Sequence, residues 1–355
     1  MNDRAGIDAA RAVLAHAINE RVVPAVVAEV GDEGGVLWRE ALGSLSFDEG
    51  AGPATDDAVF DLASLTKPLA TTSVILALSD RSALDLREPV ATFFEEWRGA
   101  DREAATVQDL LEHGSGLPAR LVDPPPRSRR EFEHEICRLA LECPPRAQSI
   151  YSDLGFILLG FIAADRGRRP LDAQFGAILP DLGDQILGFD VRRIPRDRIA
   201  PTTPMAEDMR RGRRLVGEVH DNYAAALGGH AGHAGLFGTA GGVGAYARMV
   251  LRGARGDQSL PAPFSPTILG SAITKSSVPG SSRALGWDTM LPTSSCGTRM
   301  SPAAFGHTGF TGTSLWIDPA RNRYFVLLTN RVCGDGTLDQ IQNVRRAFHD
   351  ALATI

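Results

Sequence analysis

A serine and a lysine three residues apart are the best candidates for chemistry in this 355-residue sequence. Ser64 and Lys67 lie in residues 60–72, where a helix is predicted to begin, and positions i and i+3 of a helix share a face. Only one other lysine occurs, and a desolvated lysine can lose its proton, which arginine cannot do. The pair therefore predicts a nucleophilic serine with a basic lysine beside it. An exposed first turn of an ordinary helix is the alternative.

The position of this pair has two further consequences. A serine at a helix N-terminus lies near free N–H groups and the positive end of the helix dipole, which favour developing negative charge. Pro68 lacks an N–H and so leaves the Ser64 carbonyl without its helical partner. The sequence therefore predicts a distorted first turn or a helix that starts later.

Both ends of the chain carry sheet signals. Apolar residues at helical spacing predict a helix over residues 7–20, followed by a strand at 22–30, a turn at 32–35 and a second strand at 36–41. Near the C-terminus, β-branched and apolar runs predict a hairpin over residues 313–317 and 324–329, and then a helix over 338–352. These elements indicate an antiparallel sheet with N- and C-terminal helices.

The middle of the chain, from Ser64 to about residue 270, has few strand signals. Thr106, Ser128, Ser152 and Thr239 each precede a helical pattern as predicted N-caps. This region is therefore predicted to be mainly helical, and the fold class is predicted to be α+β.

The composition is that of an ordinary globular protein. The chain is 43% hydrophobic and 23% charged, with a formal net charge of −6. It has no basic run with interleaved aromatic residues and no apolar run of membrane-spanning length, so neither nucleic acid nor a membrane is a predicted partner. The acidic N-terminus does not read as a signal peptide, which predicts a cytoplasmic protein unless a leader was removed.

Three short motifs occur in a fixed order: Ser64-Leu65-Thr66-Lys67, Tyr151-Ser152-Asp153 and His307-Thr308-Gly309. With residues 110–118 and 220–237, they resemble the serine β-lactamase and penicillin-binding protein superfamily. The resemblance is to its class C β-lactamase-like branch, which includes esterases and D-Ala-D-Ala carboxypeptidase-like proteins, and covers about residues 20–335. It implies a β-lactamase/transpeptidase-like fold, with a discontinuous sheet domain (1–62 and 275–355), a mainly helical domain (63–274) and the cleft where they meet.

The resemblance also implies a role for each motif residue. Ser64 would be the nucleophile, and Lys67 and Tyr151 would share its proton, with Tyr151 as general base or proton relay. The backbone N–H groups of Ser64 and Phe310 would form the oxyanion hole. The substrate-binding residues would be Asp153, His307, Thr308 and Gly309. No cofactor is implied.

Two motif positions depart from the usual pattern. Asp153 replaces an asparagine, which adds a negative charge near Lys67, and His307 replaces a lysine. A histidine with a pKa near its ordinary value of about 6.5 is mostly neutral at pH 7, so the permanent cation that would hold a substrate carboxylate is missing. Short-chain esters or amides without a carboxylate are therefore expected to be better substrates than penicillins or D-Ala-D-Ala peptides.

Other motifs in the sequence have simpler interpretations. His220, Asp221, His230 and His233 have metal-ligand side chains, but their glycine-rich spacing favours a loop in which Asp221 and His233 line the cleft, with no metal. Residues 242–247 match a dinucleotide fingerprint without a βαβ unit, and a helix begun by Thr239 explains them. No Gly-x-Ser-x-Gly elbow occurs, which counts against an α/β-hydrolase.

The sequence therefore predicts a serine hydrolase that acts on esters or amides through an acyl-enzyme and resembles a carboxylesterase. The alternatives are a β-lactamase or D-Ala-D-Ala carboxypeptidase, and a non-catalytic binding protein on the same fold. The predicted partner is a small-molecule ester, amide or peptide, and the sequence does not indicate an oligomeric state.

Overall fold

The computed structural model describes residues 2–121 and 123–353; the predicted domain ranges also include Met1, Val122, Thr354 and Ile355, which lie outside them. The strands are β1 (Ala25–Asp32), β2 (Gly35–Gly43), β3 (Phe60–Asp61), β4 (Leu187–Gly188), β5 (Phe237–Gly238), β6 (Asp288–Thr289), β7 (Phe305–Thr308), β8 (Ser314–Asp318) and β9 (Arg323–Thr329). They form a six-stranded sheet in the order β2-β1-β9-β8-β7-β6 and a small sheet in the order β3-β5-β4. All the strand pairs are antiparallel.

The helices surround the larger sheet and fill the middle of the chain. They are α1 (Asn2–Asn19), α2 (Ser73–Asp80), α3 (Val107–Leu111), α4 (Arg129–Arg138), α5 (Asp153–Gly167), α6 (Leu171–Gly176), α7 (Asn222–Ala226), α8 (Ala240–Ala254), α9 (Pro266–Ile273) and α10 (Leu338–Leu352). The predicted α+β class is confirmed by this mixture of helices and antiparallel sheet.

Both predicted hairpins are present. Ala25 pairs with Gly43 in the first hairpin, and Ser314 pairs with Leu327 in the second. Strand β1 starts at Ala25, three residues later than predicted. Val26 then pairs with Thr329, which joins the two ends of the chain in one sheet.

The larger sheet is covered on both faces. On one face, α1 and α10 pack over Val26, Ala28 and Leu327. On the other, α8 packs over Val27 and Val326. Because successive strand residues point to opposite faces, β1 is buried along almost its whole length. Helix α8 packs on this sheet although it belongs to the middle range, 63–274.

The predicted N-caps form in the middle region. Thr106 makes a capping box with Asp109, and the hydroxyls of Ser128, Ser152 and Thr239 each accept a backbone N–H from the first turn of their helices. The small sheet was not predicted, because strands of two residues have no periodicity to detect. Among the described residues, no helix is both long and apolar enough to cross a membrane.

Candidate active site

Ser64 lies in an irregular turn and not in a regular helix. Ala63–Leu65 form a 3₁₀ turn, Lys67–Thr72 form a π-helical segment that contains Pro68, and α2 begins only at Ser73. The distortion predicted from Pro68 is therefore present. Because the backbone turns through this segment, Lys67 lies beside Ser64, and its Nζ is 2.9 Å from Ser64 Oγ.

The turn before Ser64 is held by a buried carboxylate. Ala63 has a φ of +47°, a left-handed conformation that costs an alanine about 1–2 kcal/mol. Its N–H donates to Oδ1 of Asp61 at 2.8 Å, and Oδ2 of Asp61 accepts the His220 N–H at 2.6 Å. Burial raises the pKa of Asp61 to about 6. Asp61 therefore connects the Ser64 turn to the loop that carries Asp221, a role that the sequence motifs did not suggest.

Lys67 is fully buried and donates to three oxygen atoms. These are Ser64 Oγ, Asp153 Oδ1 at 2.7 Å and the His233 carbonyl at 3.2 Å. Burial acts to lower the pKa of Lys67, but Asp153 and Tyr151 together outweigh burial, so that the pKa lies above its ordinary value. The raised pKa favours a charged Lys67 over the basic lysine that the spacing of Ser64 and Lys67 alone allows. Lys67 is an ammonium group, because Asp153 stands where the usual pattern has a neutral amide.

Asp153 belongs to a chain of charges along one wall of the site. Its second oxygen accepts from Arg120 at 3.0 Å, and the same guanidinium donates to Asp221 at 3.0 Å. Asp221 in turn contacts Nε2 of His233 at 2.7 Å. Burial opposes ionisation of Asp153, but Lys67 holds the pKa of this carboxyl below its ordinary value. Asp221 also has a pKa below its ordinary value, so both aspartates remain ionised, and Asp153 fixes the position of Lys67.

Tyr151 faces two cations across the cleft. Lys67 Nζ and Arg283 Cζ each lie 4.9 Å from the centre of its ring. The ring of His307 lies 5.9 Å away between centroids. Both cations would stabilise the negative charge of a Tyr151 phenolate, the form of this side chain that can accept a proton.

His113 fixes the backbone on both sides of Tyr151. The Ile150 N–H donates to the His113 carbonyl at 2.9 Å, and the Ser152 N–H donates to its Nδ1 at 3.1 Å. The ring centroids of His113 and Tyr151 are 4.7 Å apart. Burial, together with the charges of Arg283 and Lys67, keeps the pKa of His113 well below its ordinary value, so the ring is neutral. His113 lies in the 110–118 segment, but no role was assigned to it from the sequence.

The end of β7 contacts the Ser64 turn directly. A Cβ on Gly309 would lie 2.5 Å from the Leu62 carbonyl, so only glycine fits there. Two threonines complete the contact: Thr311 Oγ1 donates to the Asp61 carbonyl at 2.7 Å, and Thr313 Oγ1 donates to the Leu62 carbonyl at 3.1 Å. These bonds set the Phe310 backbone next to the serine turn.

His307 is a neutral acceptor. Burial is the main reason that its pKa lies well below the ordinary value, and Arg283 and Lys67 add to the effect. Nδ1 lies 2.8 Å from the Thr308 carbonyl, which requires the proton on Nδ1. Nε2 then carries a lone pair, and it has no hydrogen-bond partner in the described part of the chain.

These groups line one cleft of about 580 Å³. The predicted site residues that line it are Ser64, Tyr151, Asp153, Asp221, His233, His307, Thr308, Gly309 and Phe310, and the buried Lys67 reaches it through Ser64. Arg120, Arg283 and Arg345 also line the cleft. None of the three was predicted, since an isolated arginine outside the motifs gives no signal.

The four residues weighed as metal ligands are divided among different contacts. His233 pairs with Asp221, His230 lies 3.1 Å from Asp172, and the ring of His220 stacks on Phe310 at 5.6 Å. In residues 2–121 and 123–353, no three His, Cys, Asp or Glu side chains are arranged as metal ligands. Residues 242–247 lie inside α8.

The chain is similar to known proteins in its sequence and in its fold. The family model described as Beta-lactamase matches residues 10–346. A putative D-alanyl-D-alanine carboxypeptidase of Escherichia coli K12 is 29% identical over 334 residues, which cover 83% of this chain and 76% of the relative. EstCE1, a hydrolase with promiscuous acyltransferase activity, has a TM-score of 0.78 at 18% identity and 99% coverage of both chains. A class C beta-lactamase from Rhodobacter sphaeroides has a TM-score of 0.74 at 20% identity, covering 97% of this chain and 98% of that one. The predicted fold and family are confirmed.

Proposed function

Because the chain belongs to the beta-lactamase family, we propose that it is a serine hydrolase that cleaves esters or amides through an acyl-enzyme. The observation that carries the proposal is the 2.9 Å contact between Lys67 Nζ and Ser64 Oγ beside the cleft. A non-catalytic protein of the same fold would have no use for a buried ammonium group at this serine.

Each proton has a place in the proposed reaction. Tyr151 reacts as the phenolate, whose negative charge the Lys67 and Arg283 cations stabilise, and takes the Ser64 proton as Oγ attacks the acyl carbon. The Lys67 ammonium also stabilises negative charge on Oγ. The N–H groups of Ser64 and Phe310 bind the oxyanion of the tetrahedral intermediate. When this intermediate collapses, the bond to the leaving group breaks and Tyr151 returns the proton to that group. A water molecule then attacks the acyl-enzyme while Tyr151 takes its proton. The bond to Ser64 breaks, Tyr151 returns the proton to Oγ, and the acid is released.

Arg283 favours a substrate that carries a carboxylate. Its guanidinium lines the cleft beside Tyr151 and forms no ion pair within residues 2–121 and 123–353. It therefore offers the permanent cation that the neutral His307 does not. Peptides that end in D-alanine fit this requirement, and they are also the class that the name of the Escherichia coli relative specifies.

A carboxylate-free ester is the second candidate, and His307 favours it. Its ring is buried and neutral, so the third motif itself adds no charge to hold an anionic substrate. The short-chain ester expected from the sequence stays a prediction on this basis.

One matched pair of substrates separates the two candidates. We would measure kcat/KM for an N-acyl-D-Ala-D-Ala peptide and for its C-terminal carboxamide, with p-nitrophenyl acetate as the short ester. A charge-assisted hydrogen bond contributes roughly 1.5–3 kcal/mol, so the free acid should be preferred by about one to two powers of ten. Arg283→Gln should bring that ratio close to one. Equal rates for acid and carboxamide in the unmodified protein would favour the ester, and no turnover of any of the three would refute both candidates.

A further inference from the structure

Two buried arginines lie behind the turn that follows β7. Nη2 of Arg345, from α10, donates to the Gly309 carbonyl at 2.6 Å and to the Thr313 carbonyl at 2.9 Å. Nη2 of Arg331 donates to the Phe310 carbonyl at 2.8 Å. Both side chains are buried, and neither forms an ion pair with a carboxylate in the described part of the chain. Two positive charges are therefore held against this turn without a counter-charge.

The carbonyls do not need Arg345 to be satisfied. The Gly309 carbonyl already accepts the Gly312 N–H at 3.0 Å, and the Thr313 carbonyl accepts the Gly309 N–H at 2.8 Å. A buried guanidinium without a carboxylate carries a desolvation cost. Burial and the nearby charge of Arg331 lower the pKa of Arg345 to about 9, which still leaves it charged at neutral pH. Hydrogen-bond satisfaction alone thus gives no reason for placing a charge here.

The contacted carbonyl shares a peptide group with the Phe310 N–H. A cation at the Gly309 oxygen draws electron density through this amide and makes its N–H a stronger donor. The Phe310 N–H has no hydrogen-bond acceptor within residues 2–121 and 123–353. Phe310 also lines the cleft. The polarised donor is therefore available to a ligand.

We propose that Arg345 is a positioning residue that polarises the Gly309–Phe310 peptide and so strengthens binding of the oxyanion, with Arg331 adding to the same positive field. This inference rests on the proposed acyl-enzyme function. The two arginines would stabilise the transition state, in which negative charge develops at the carbonyl oxygen of the substrate, more than the neutral ground state.

The test is a split between kcat and KM in Arg345→Met. Removing a whole oxyanion-hole donor costs about two to three powers of ten in kcat, so removing its polarisation should cost less, about ten-fold. KM should change by less than about two-fold, because the bound substrate carries no oxyanion. Inhibition by a boronic acid, which forms an anionic tetrahedral adduct on serine, should weaken by the same factor as kcat. Arg345→Lys keeps the charge and should recover most of the rate at pH 7.

Arg346 provides a matched control. It follows Arg345 on α10 and also donates to two carbonyls, those of Ser294 at 2.7 Å and Pro292 at 3.0 Å, but it does not line the cleft. Arg346→Met should leave kcat and boronate inhibition unchanged. If Arg345→Met does not fold, Arg345→Gln, which retains an N–H donor without the charge, gives the same comparison.

The inference and the proposed function fail in different ways. A folded Arg345 variant that keeps the kcat of the unmodified protein, or that raises KM alone, would overturn the inference while hydrolysis continues. An equal loss of kcat in Arg346→Met would overturn it as well. Absence of any acylation of Ser64 in the unmodified protein would instead refute the proposed function.

Discussion

The Nζ atom of Lys67 lies 2.7 Å from Oδ1 of Asp153, and this ion pair keeps the lysine charged beside Ser64. In the proposed mechanism, Lys67 therefore holds and stabilises the serine oxygen, and Tyr151 takes the serine proton. Asp153, which replaces the usual asparagine, is the residue responsible for this division of roles.

Lys67→Arg should abolish most of the activity. The three oxygen atoms around Nζ surround a compact ammonium group in a fully buried site, and a planar guanidinium cannot reproduce those contacts. We expect kcat/KM for p-nitrophenyl acetate to fall by at least about two powers of ten. Lys275→Arg, which changes the exposed second lysine, is the control and should have no effect. Full turnover in Lys67→Arg would show that positive charge alone is enough.

Tyr151→Phe should slow acylation by roughly two to four powers of ten, the range typical of general-base catalysis. The melting temperature should change little, because Tyr151 is only partly buried. Stopped-flow measurement of the acylation step gives the rate. Tyr246→Phe removes a buried hydroxyl bonded to Ser73, away from the cleft, and should not slow acylation. If the Tyr151→Phe enzyme acylates at the original rate, a group other than Tyr151 is the general base.

Activity should fall as the pH drops through about 6, the pKa to which burial raises Asp61. Above that pH the carboxylate accepts the N–H groups of Ala63 and His220, whereas below it the protonated group loses an acceptor and the serine turn loosens. The charged groups near Asp61 are Asp221 and Arg210, and the fields of these two residues oppose each other. We expect an acid limb in the pH profile of kcat/KM.

Asp61→Asn tests the origin of this limb. Asparagine has one acceptor oxygen, and its NH2 group would face the second backbone N–H at every pH. Activity should therefore be lower by roughly ten-fold, and the acid limb should be absent. Asp57→Asn, at an exposed site four residues earlier, should retain the original profile. An unchanged acid limb in Asp61→Asn would assign the limb to a different group.

His307→Lys should improve carboxylate-bearing substrates selectively. A lysine at this position adds a cation beside that of Arg283, and a charge-assisted hydrogen bond contributes up to about one to two powers of ten. The ratio of kcat/KM for the D-Ala-D-Ala peptide to that for p-nitrophenyl acetate is the quantity to measure. A ratio that stays constant would mean that position 307 does not contact the carboxylate.

The sequence predicted the elements of the fold better than it predicted the electrostatics of the site. Periodicity and caps identified both hairpins, the terminal helices and the helix after Ser152, because those signals are local. The small sheet at Phe60–Asp61 has no such signal, because it depends on pairing with Phe237 and Gly238, which lie far away along the chain. The division into two domains stays a prediction.

The motif residues were predicted to lie together, and the structure brings them into one cleft. The spacing of Ser64 and Lys67 alone does not determine the direction of the Lys67 pKa shift, because the shift depends on the contact with Asp153, a residue 86 positions away along the chain. The contributions of Arg283 and Arg345 could not be predicted for the same reason. Each acts through neighbours that only the folded chain provides.

Labelling of Ser64 by a serine-directed fluorophosphonate, followed by intact mass and peptide mapping, tests the central claim most directly. The unmodified protein should gain the mass of one phosphonyl group at Ser64, and Ser64→Ala should neither gain it nor hydrolyse p-nitrophenyl acetate. Ser115→Ala, which changes another serine outside the cleft lining, should label like the unmodified protein. An unlabelled native protein, or a Ser64→Ala variant that still labels or turns over substrate, would contradict the assignment of Ser64 as the nucleophile.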